Sequence, residues 1–232
     1  MRPSLPTTPR HLTGSRPEPF RKAVSGGARV LFLQRHGSPA AIPPHRVNYR
    51  ANLWALRSLG ASEVIAVNAV GGIAVDMTPG RLVVPDQLID YTWGREHTID
   101  DGSEGFLRHI DFTEPYDRGL RSALVAAAAN AGIDCLDGGV HGVAQGPRLE
   151  TAAEIQRMAG DGCTVVGMTG MPEASLAREL ELAYASVCMV VNPAAGLGQG
   201  PITLEAMRQV LLREAEGVRV LLRALLAARY GA

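Results

Sequence analysis

Apolar and polar positions along this chain follow two alternating periods, and the period changes at turn residues. Short apolar or alternating runs at residues 29–34, 63–69, 82–85, 88–90, 139–143, 163–168 and 183–191 read as strands. Helical spacing occupies residues 47–59, 115–132, 151–159, 173–180 and 203–229. Gly60 is a natural stop for the first helix, and Thr203 with Glu205 a natural start for the last. Pro85 predicts a kink or a sheet edge. Strands alternating with helices predict a three-layer α/β/α fold with a mixed, largely parallel central sheet.

Two stretches break this texture. Residues 1–28 carry Pro3, Pro6, Pro9, Pro17 and Pro19, a basic cluster at Arg16, Arg21 and Lys22, and no apolar core of a secretory signal. They read as an irregular basic leader ahead of one domain spanning 29–232. Residues 95–112 are polar and contain glycine, and predict a long loop of the kind that usually carries function. No internal repeat is visible.

Composition narrows the function classes. A 232-residue chain with 46% hydrophobic residues buries a sizeable core. Lys plus Arg equals Asp plus Glu at 23 each, which argues against nucleic acid or an acidic membrane as partner. No apolar run approaches the length of a membrane span. Cys135, Cys163 and Cys188 lie far apart without a CxxC pair, as expected of reduced core thiols in a cytoplasmic protein. No metal site is predicted.

The candidate chemistry sits at four strand ends, where open α/β sheets bind ligands. Asn192-Pro193-Ala194 closes the longest apolar run. An amide there can read a heterocycle edge with both donors and an acceptor, although Asn-Pro alone is also a common turn starter. Arg35-His36-Gly37 offers a forked cation and a histidine for phosphate; the plainer reading is an arginine paired to some acid. Asn68-Ala69-Val70-Gly71-Gly72 could bring main-chain N–H groups close to a ligand, or simply turn. Met168-Thr169-Gly170-Met171-Pro172-Glu173 ends a strand and opens a helix, a junction suited to anions and hydroxyls.

Together these segments, with Val47-Asn48-Tyr49-Arg50-Ala51-Asn52 and Gln145-Gly146-Pro147-Arg148-Leu149-Glu150-Thr151, resemble the trimeric purine nucleoside phosphorylase and methylthioadenosine phosphorylase family. The resemblance covers about residues 29–229 and looks closest to the bacterial S-methyl-5'-thioinosine phosphorylase branch. It implies phosphorolysis: inorganic phosphate, as co-substrate and without a cofactor, displaces a purine from C1 of a pentose. Carried over residue by residue, Arg35, His36, Ala69 and Thr169 hold phosphate, and Met168 lies against the ribose. Leu149 packs on base and sugar, and Asn192 reads the base as the catalytic donor. Leu204 and Met207 line the 5' pocket, three apart and so expected on one helix face. His109 reaches the 5' end of the substrate in a neighbouring subunit of a homotrimer.

The base position also bears on specificity. Methylthioadenosine phosphorylases carry an Asp there and another two residues on; this chain carries Asn192 and Ala194. A carboxylate accepts from a 6-amino group and repels a 6-oxo group, whereas an amide can donate to O6 or N7. The pair therefore predicts 6-oxopurines over adenine. Apolar Leu204 and Met207 favour a methylthio group, with inosine as an alternative through His109.

Two departures stand out. Nothing before Arg29 matches the glycine-rich Gly-Gly-Thr/Ser-Gly strand-loop with which the family opens, which implies either a natural start further upstream or a weaker phosphate site. Ala40 stands where relatives often carry a histidine. Two other classes compete. One is a histidine phosphatase using His36 and His141; the other is a nucleoside-binding relative without turnover.

Overall fold

The computed structural model describes residues 21–25, 27–39, 41–100, 102 and 109–231. Two strands, β1 (Arg21–Ser25) and β2 (Ala28–Phe32), form an antiparallel hairpin of their own. Residues 21–25 fall in the stretch expected to be irregular; instead they pair residue for residue with β2, from Arg21 opposite Phe32 to Ser25 opposite Ala28. Residues 1–20 and Ala40 lie outside the described residues.

The rest of the chain alternates. In order it runs α1 (Tyr49–Ser58), β3 (Glu63–Gly72), β4 (Leu82–Val84), β5 (Gln87–Asp90), α2 (Arg118–Asn130), β6 (Cys135–Asp137) and β7 (Val140–Val143). It closes with α3 (Ala152–Gly160), β8 (Val165–Gly167), α4 (Gly170–Glu179), β9 (Ala183–Pro193) and α5 (Leu204–Tyr230). The seven strands from β3 onward make one sheet in the order β5-β7-β8-β3-β9-β4-β6. Four neighbour pairs are parallel, and β8 and β4 run antiparallel to β3 and β9 respectively, so the sheet is mixed and largely parallel.

Helices cover both faces. α1 and α4 pack on one side through Leu53, Trp54 and Leu176 against Ala66 and Tyr184. On the other side α2 and α5 bring Leu120, Leu124, Leu221 and Leu225 against Ala185, Val187 and Met189. Each fully buried leucine of this kind stabilises the fold by about 1.5–3 kcal/mol. β9 serves both layers because side chains alternate along a strand. Its odd positions face α2 and α5, while Tyr184 joins the α1–α4 cluster.

Local signals set several boundaries. Asn48 accepts from the Ala51 N–H at the head of α1, and Gly60, at φ +89°, ends the turn that follows it. Asp117 caps α2, Thr203 caps α5, and Thr151 with Glu154 forms a capping box on α3. α4 starts earlier than expected, at Gly170, but Met171 is extended (φ −116°, ψ 138°), so the regular helix opens at Pro172.

One gap matters for the site. Along residues 63–70, β3 pairs only with β9 among the described residues, and β2 pairs only with β1. The hairpin and β3 therefore face each other across an open space, floored by α5.

Candidate functional site

That space is the inner part of a cavity of about 1680 Å³. Its walls near β2 and α5 are apolar, with Val30, Leu31, Val64, Val67 and Leu222 among them. Its other end, where the strand ends meet, is polar and holds Arg35, Asn68, Thr169, Glu173 and Asn192.

Arg35 is the centre of the polar end. Its Nε lies 3.0 Å from Glu173 Oε1, and its Nη1 donates to Asn68 Oδ1 at 2.6 Å and to Thr169 Oγ1 at 2.5 Å. No contact with a described residue uses Nη2. Burial alone would pull the guanidinium's pKa down; Glu173 foremost, then Tyr184 and Tyr49, outweigh it and leave it above its ordinary value. Glu173 is itself buried and accepts from the Tyr184 hydroxyl at 2.9 Å through its other oxygen. The plain reading of Arg35 as an arginine paired to an acid is thus true, and it coexists with a free face turned to the cavity.

Thr169 stands directly ahead of α4, yet its side chain makes no cap bond there. Its hydroxyl donates to Asn68 Oδ1 at 2.9 Å instead. His36 is exposed and donates from Nδ1 to the Ile42 carbonyl at 2.9 Å, which leaves Nε2 for a ligand. Ala69 lines the cavity from β3. Packing leaves little room for a side chain at the neighbouring glycines. A Cβ on Gly72 would sit 1.9 Å from the Met77 carbonyl oxygen, and one on Gly71 3.2 Å from Val166.

Asn192 lies at the end of β9, in register with Gly71 of β3, and lines the same cavity. Its Nδ2 donates to the Pro193 carbonyl at 2.6 Å, so a ligand must compete for that amide. Ala194 is 2% exposed and packs with Val166 and Ile155. Met168 and Leu149 also line the cavity; Gly146 makes room for Met168, since a Cβ there would lie 2.5 Å from the sulfur.

The residues expected around a 5' substituent do not all meet in this cavity. Met207 lines the cavity, but Leu204 is 82% exposed and does not. The two are three apart, yet Leu204 opens the first turn of α5, beyond the reach of the core. His109 is exposed and outside this cavity. Nine of the eleven residues named from sequence thus meet in one cavity, and His109 and Leu204 do not.

Three side chains that sequence reasoning missed hold the site together. Asn68 and Glu173 fix Arg35, as above. Arg95, in the polar loop after β5, donates to the main-chain carbonyls of Met168 at 2.8 Å, Met171 at 2.5 Å and Gln145 at 2.7 Å. It also lies over the Tyr49 ring at 5.6 Å. Main-chain acceptors leave no trace in a sequence, so nothing in the pattern could have pointed to it. A carboxylate in an apolar segment, as at Glu173, was the one readable signal.

A phosphatase pairing of His36 with His141 is ruled out by position. His141 is 0% exposed, away from the cavity, and packed against Gly167 and Gly170. Among the described residues no cluster of His, Cys, Asp or Glu is placed to hold a metal, and no helix is long and apolar enough to cross a membrane.

Residues 10–227 match the family model described as the phosphorylase superfamily. The chain is 56% identical over 187 residues to a Pseudomonas syringae pv. tomato protein named "Probable S-methyl-5'-thioinosine phosphorylase", covering 80% of this chain and 75% of that one. It is 46% identical over 200 residues to the "6-oxopurine nucleoside phosphorylase" of Pyrococcus furiosus, covering 84% and 76%. Among solved structures it superposes on methylthioadenosine phosphorylase from Schistosoma mansoni in complex with adenine. The TM-score there is 0.87 at 31% identity, over 94% of this chain and 82% of the other.

Proposed function

The chain belongs to the phosphorylase superfamily, and we propose that it catalyses phosphorolysis of 6-oxopurine nucleosides, with S-methyl-5'-thioinosine as its main substrate. The products are hypoxanthine and 5-methylthioribose 1-phosphate. The enzyme is a pentosyltransferase of the purine nucleoside phosphorylase type, with inorganic phosphate as co-substrate and no cofactor.

One observation carries the reading: a largely buried arginine, whose Nη2 no described residue contacts, and a strand-end carboxamide line the same cavity. Arg35 and Thr169, with His36 and Ala69 beside them, suit a phosphate dianion. Glycosidic cleavage builds positive charge on the sugar. The dianion then serves as counter-charge and nucleophile, so no covalent protein nucleophile is required. The leaving purine gathers negative charge, and the Asn192 amide can donate to it, an effect worth about 3 kcal/mol in comparable donors. Met168 and Leu149 hold the sugar and base faces, and Met207 an apolar 5' substituent.

The base preference follows from Asn192 and Ala194. Neither offers a carboxylate to a 6-amino group, and Ala194 is packed away from solvent. The same reading makes the enzyme a cytoplasmic homotrimer in which His109 completes a neighbour's site. The exposure of Trp93 and Leu204, and a His109 that is exposed and does not line the chain's own cavity, support it. Light scattering on the purified protein tests the subunit count.

The substrate test is a phosphorolysis panel of methylthioinosine, methylthioadenosine, inosine and adenosine, each with and without phosphate. Turnover is expected only with phosphate, and kcat/KM for methylthioinosine about tenfold or more above methylthioadenosine. Faster cleavage of methylthioadenosine would overturn the base assignment. Hydrolysis without phosphate, or binding without turnover, would overturn the reaction.

A further inference from the structure

We propose that Asn68 is a positioning residue that sets the phosphate affinity of Arg35, and that Ser186 sets Asn68. The proposal rests on the phosphate-site reading above and names the device that tunes it.

Asn68 is buried to 4% exposure on β3. Its Oδ1 accepts from Arg35 Nη1 at 2.6 Å and from the Thr169 hydroxyl at 2.9 Å. A guanidinium has only donors, so the amide must present its oxygen to it. A second contact anchors the amide on its far side. Nδ2 donates to Ser186 Oγ at 2.6 Å, and Ser186, 0% exposed on β9, lies 3.4 Å from Cys188 Sγ. The serine oxygen accepts from Nδ2, and its hydroxyl shares the second contact with the sulfur. Donation thus runs one way, from Arg35 and Thr169 into Asn68 and from Asn68 into Ser186.

Two consequences follow. Arg35 is gripped at Nε by Glu173 and at Nη1 by Asn68 and Thr169, so only Nη2 remains to meet an anion. A guanidinium locked this way loses little freedom on binding, which favours affinity. Second, the Thr169 proton is committed to Asn68 while phosphate is away. An arriving dianion competes with Asn68 Oδ1 for it, so the acceptor strength of position 68 enters the phosphate affinity directly. A neutral amide is a moderate competitor; a carboxylate would be a strong one and would also repel the dianion.

The experiment compares wild type with Asn68→Asp, Ser186→Ala and Ser186→Thr. It measures KM for phosphate, KM for nucleoside, kcat, and phosphate binding by calorimetry without nucleoside. Asn68→Asp should raise KM and Kd for phosphate about tenfold or more, leaving nucleoside KM within about twofold. Ser186→Ala, which cannot reach a ligand, should raise phosphate KM by about three- to tenfold, and Ser186→Thr should restore most of the loss. An unchanged phosphate KM in Asn68→Asp would overturn the proposal. So would a parallel rise of both KM values with a lowered melting temperature, the mark of a purely structural role. Calorimetry separates the two readings. If wild type binds phosphate but cleaves no 6-oxopurine nucleoside, the function assignment fails while the Asn68 effect on binding still stands or falls by itself.

Discussion

In the proposed assignment the cavity has a phosphate end and a base end, and the two are built on opposite plans. At the phosphate end the charged and amide groups are held by partners inside the chain, with Arg35 Nη2 and His36 Nε2 left toward a ligand: Arg35 is held by Glu173, Asn68 and Thr169, with Tyr184 behind Glu173 and Ser186 behind Asn68. At the base end Asn192 spends its amide on the next residue's carbonyl, Leu149 is partly exposed, and Leu204 and His109 stand outside. The difference follows from what each end must recognise. A phosphate is small, charged and constant, so a rigid, prepaid cradle serves it. A nucleoside is larger and varied at its 5' end, and under the proposed assignment its site is completed by residues from outside this cavity. Mutations should therefore act differently at the two ends.

The largest effect belongs to the phosphate end. Arg35→Met should lower kcat/KM by about a thousandfold, through the loss of a charge-assisted contact to the nucleophile. It also strands Glu173, a buried carboxylate, at a cost of about 3–5 kcal/mol of stability. The double variant Arg35→Met/Glu173→Gln should recover most of that stability and none of the activity. Thermal melts and phosphate titrations on both proteins check this. Recovery of activity in the double variant would mean that Arg35 serves the fold and not the phosphate.

At the base end the expected effect is a change of preference. Asn192→Asp should lower kcat/KM for methylthioinosine by about a hundredfold and raise methylthioadenosine relative to it, with phosphate KM little changed. Competition between the two nucleosides in one assay reads the ratio directly. An unaltered ratio would remove Asn192 as the base reader.

The same contrast explains what could be read from the sequence. The alternating texture foretold the layered fold, the helix caps at Gly60 and Thr203, and a cavity at the strand ends. That candidate residues at strand ends, such as Arg35, Thr169 and Asn192, meet in one cavity was legible because strand ends are positions set by local pattern. The hairpin β1–β2 was not, because basic and proline-rich surroundings masked a five-residue strand, Arg21–Ser25, that pairs only locally. The short β6 was missed as well, since three residues carry no period. Asn68 and Glu173 act through partners more than a hundred residues away and Arg95 through main-chain carbonyls, and periodicity carries no such information.

Behind the phosphate end lies a titratable group that links it to stability. His141 is fully buried, its Nε2 has no partner, and its Nδ1 lies 3.3 Å from the Tyr116 hydroxyl. Burial first, and the Arg35 charge second, lower its pKa from 6.5 to about 4. The unfolded chain therefore binds a proton between those values that the folded chain refuses. The neutral-histidine contribution is complete above pH 6.5 and is lost as pH falls toward 4. The loss amounts to about 3 kcal/mol. Urea unfolding from pH 8 to pH 4.5 should show this decline in wild type and a smaller one in His141→Asn. Equal slopes would mean that the ring is reached by solvent.

The smallest effect tests whether the base end is underfilled. Leu149 lines the cavity yet is 39% exposed, so part of its surface has nothing to pack on until a nucleoside arrives. A flat ring there could stack on a purine, a gain of about 0.5–1.5 kcal/mol. Leu149→Phe should accordingly lower nucleoside KM by about two- to tenfold, with phosphate KM unchanged. The change asks nothing of the core, because the side chain already borders solvent. A raised nucleoside KM would mean the opposite: that the pocket is closed around Leu149 in the working enzyme, as it would be if a second subunit packs over that wall. The sign of this one effect thus decides between a base site left open by its own chain and one already covered by a neighbour.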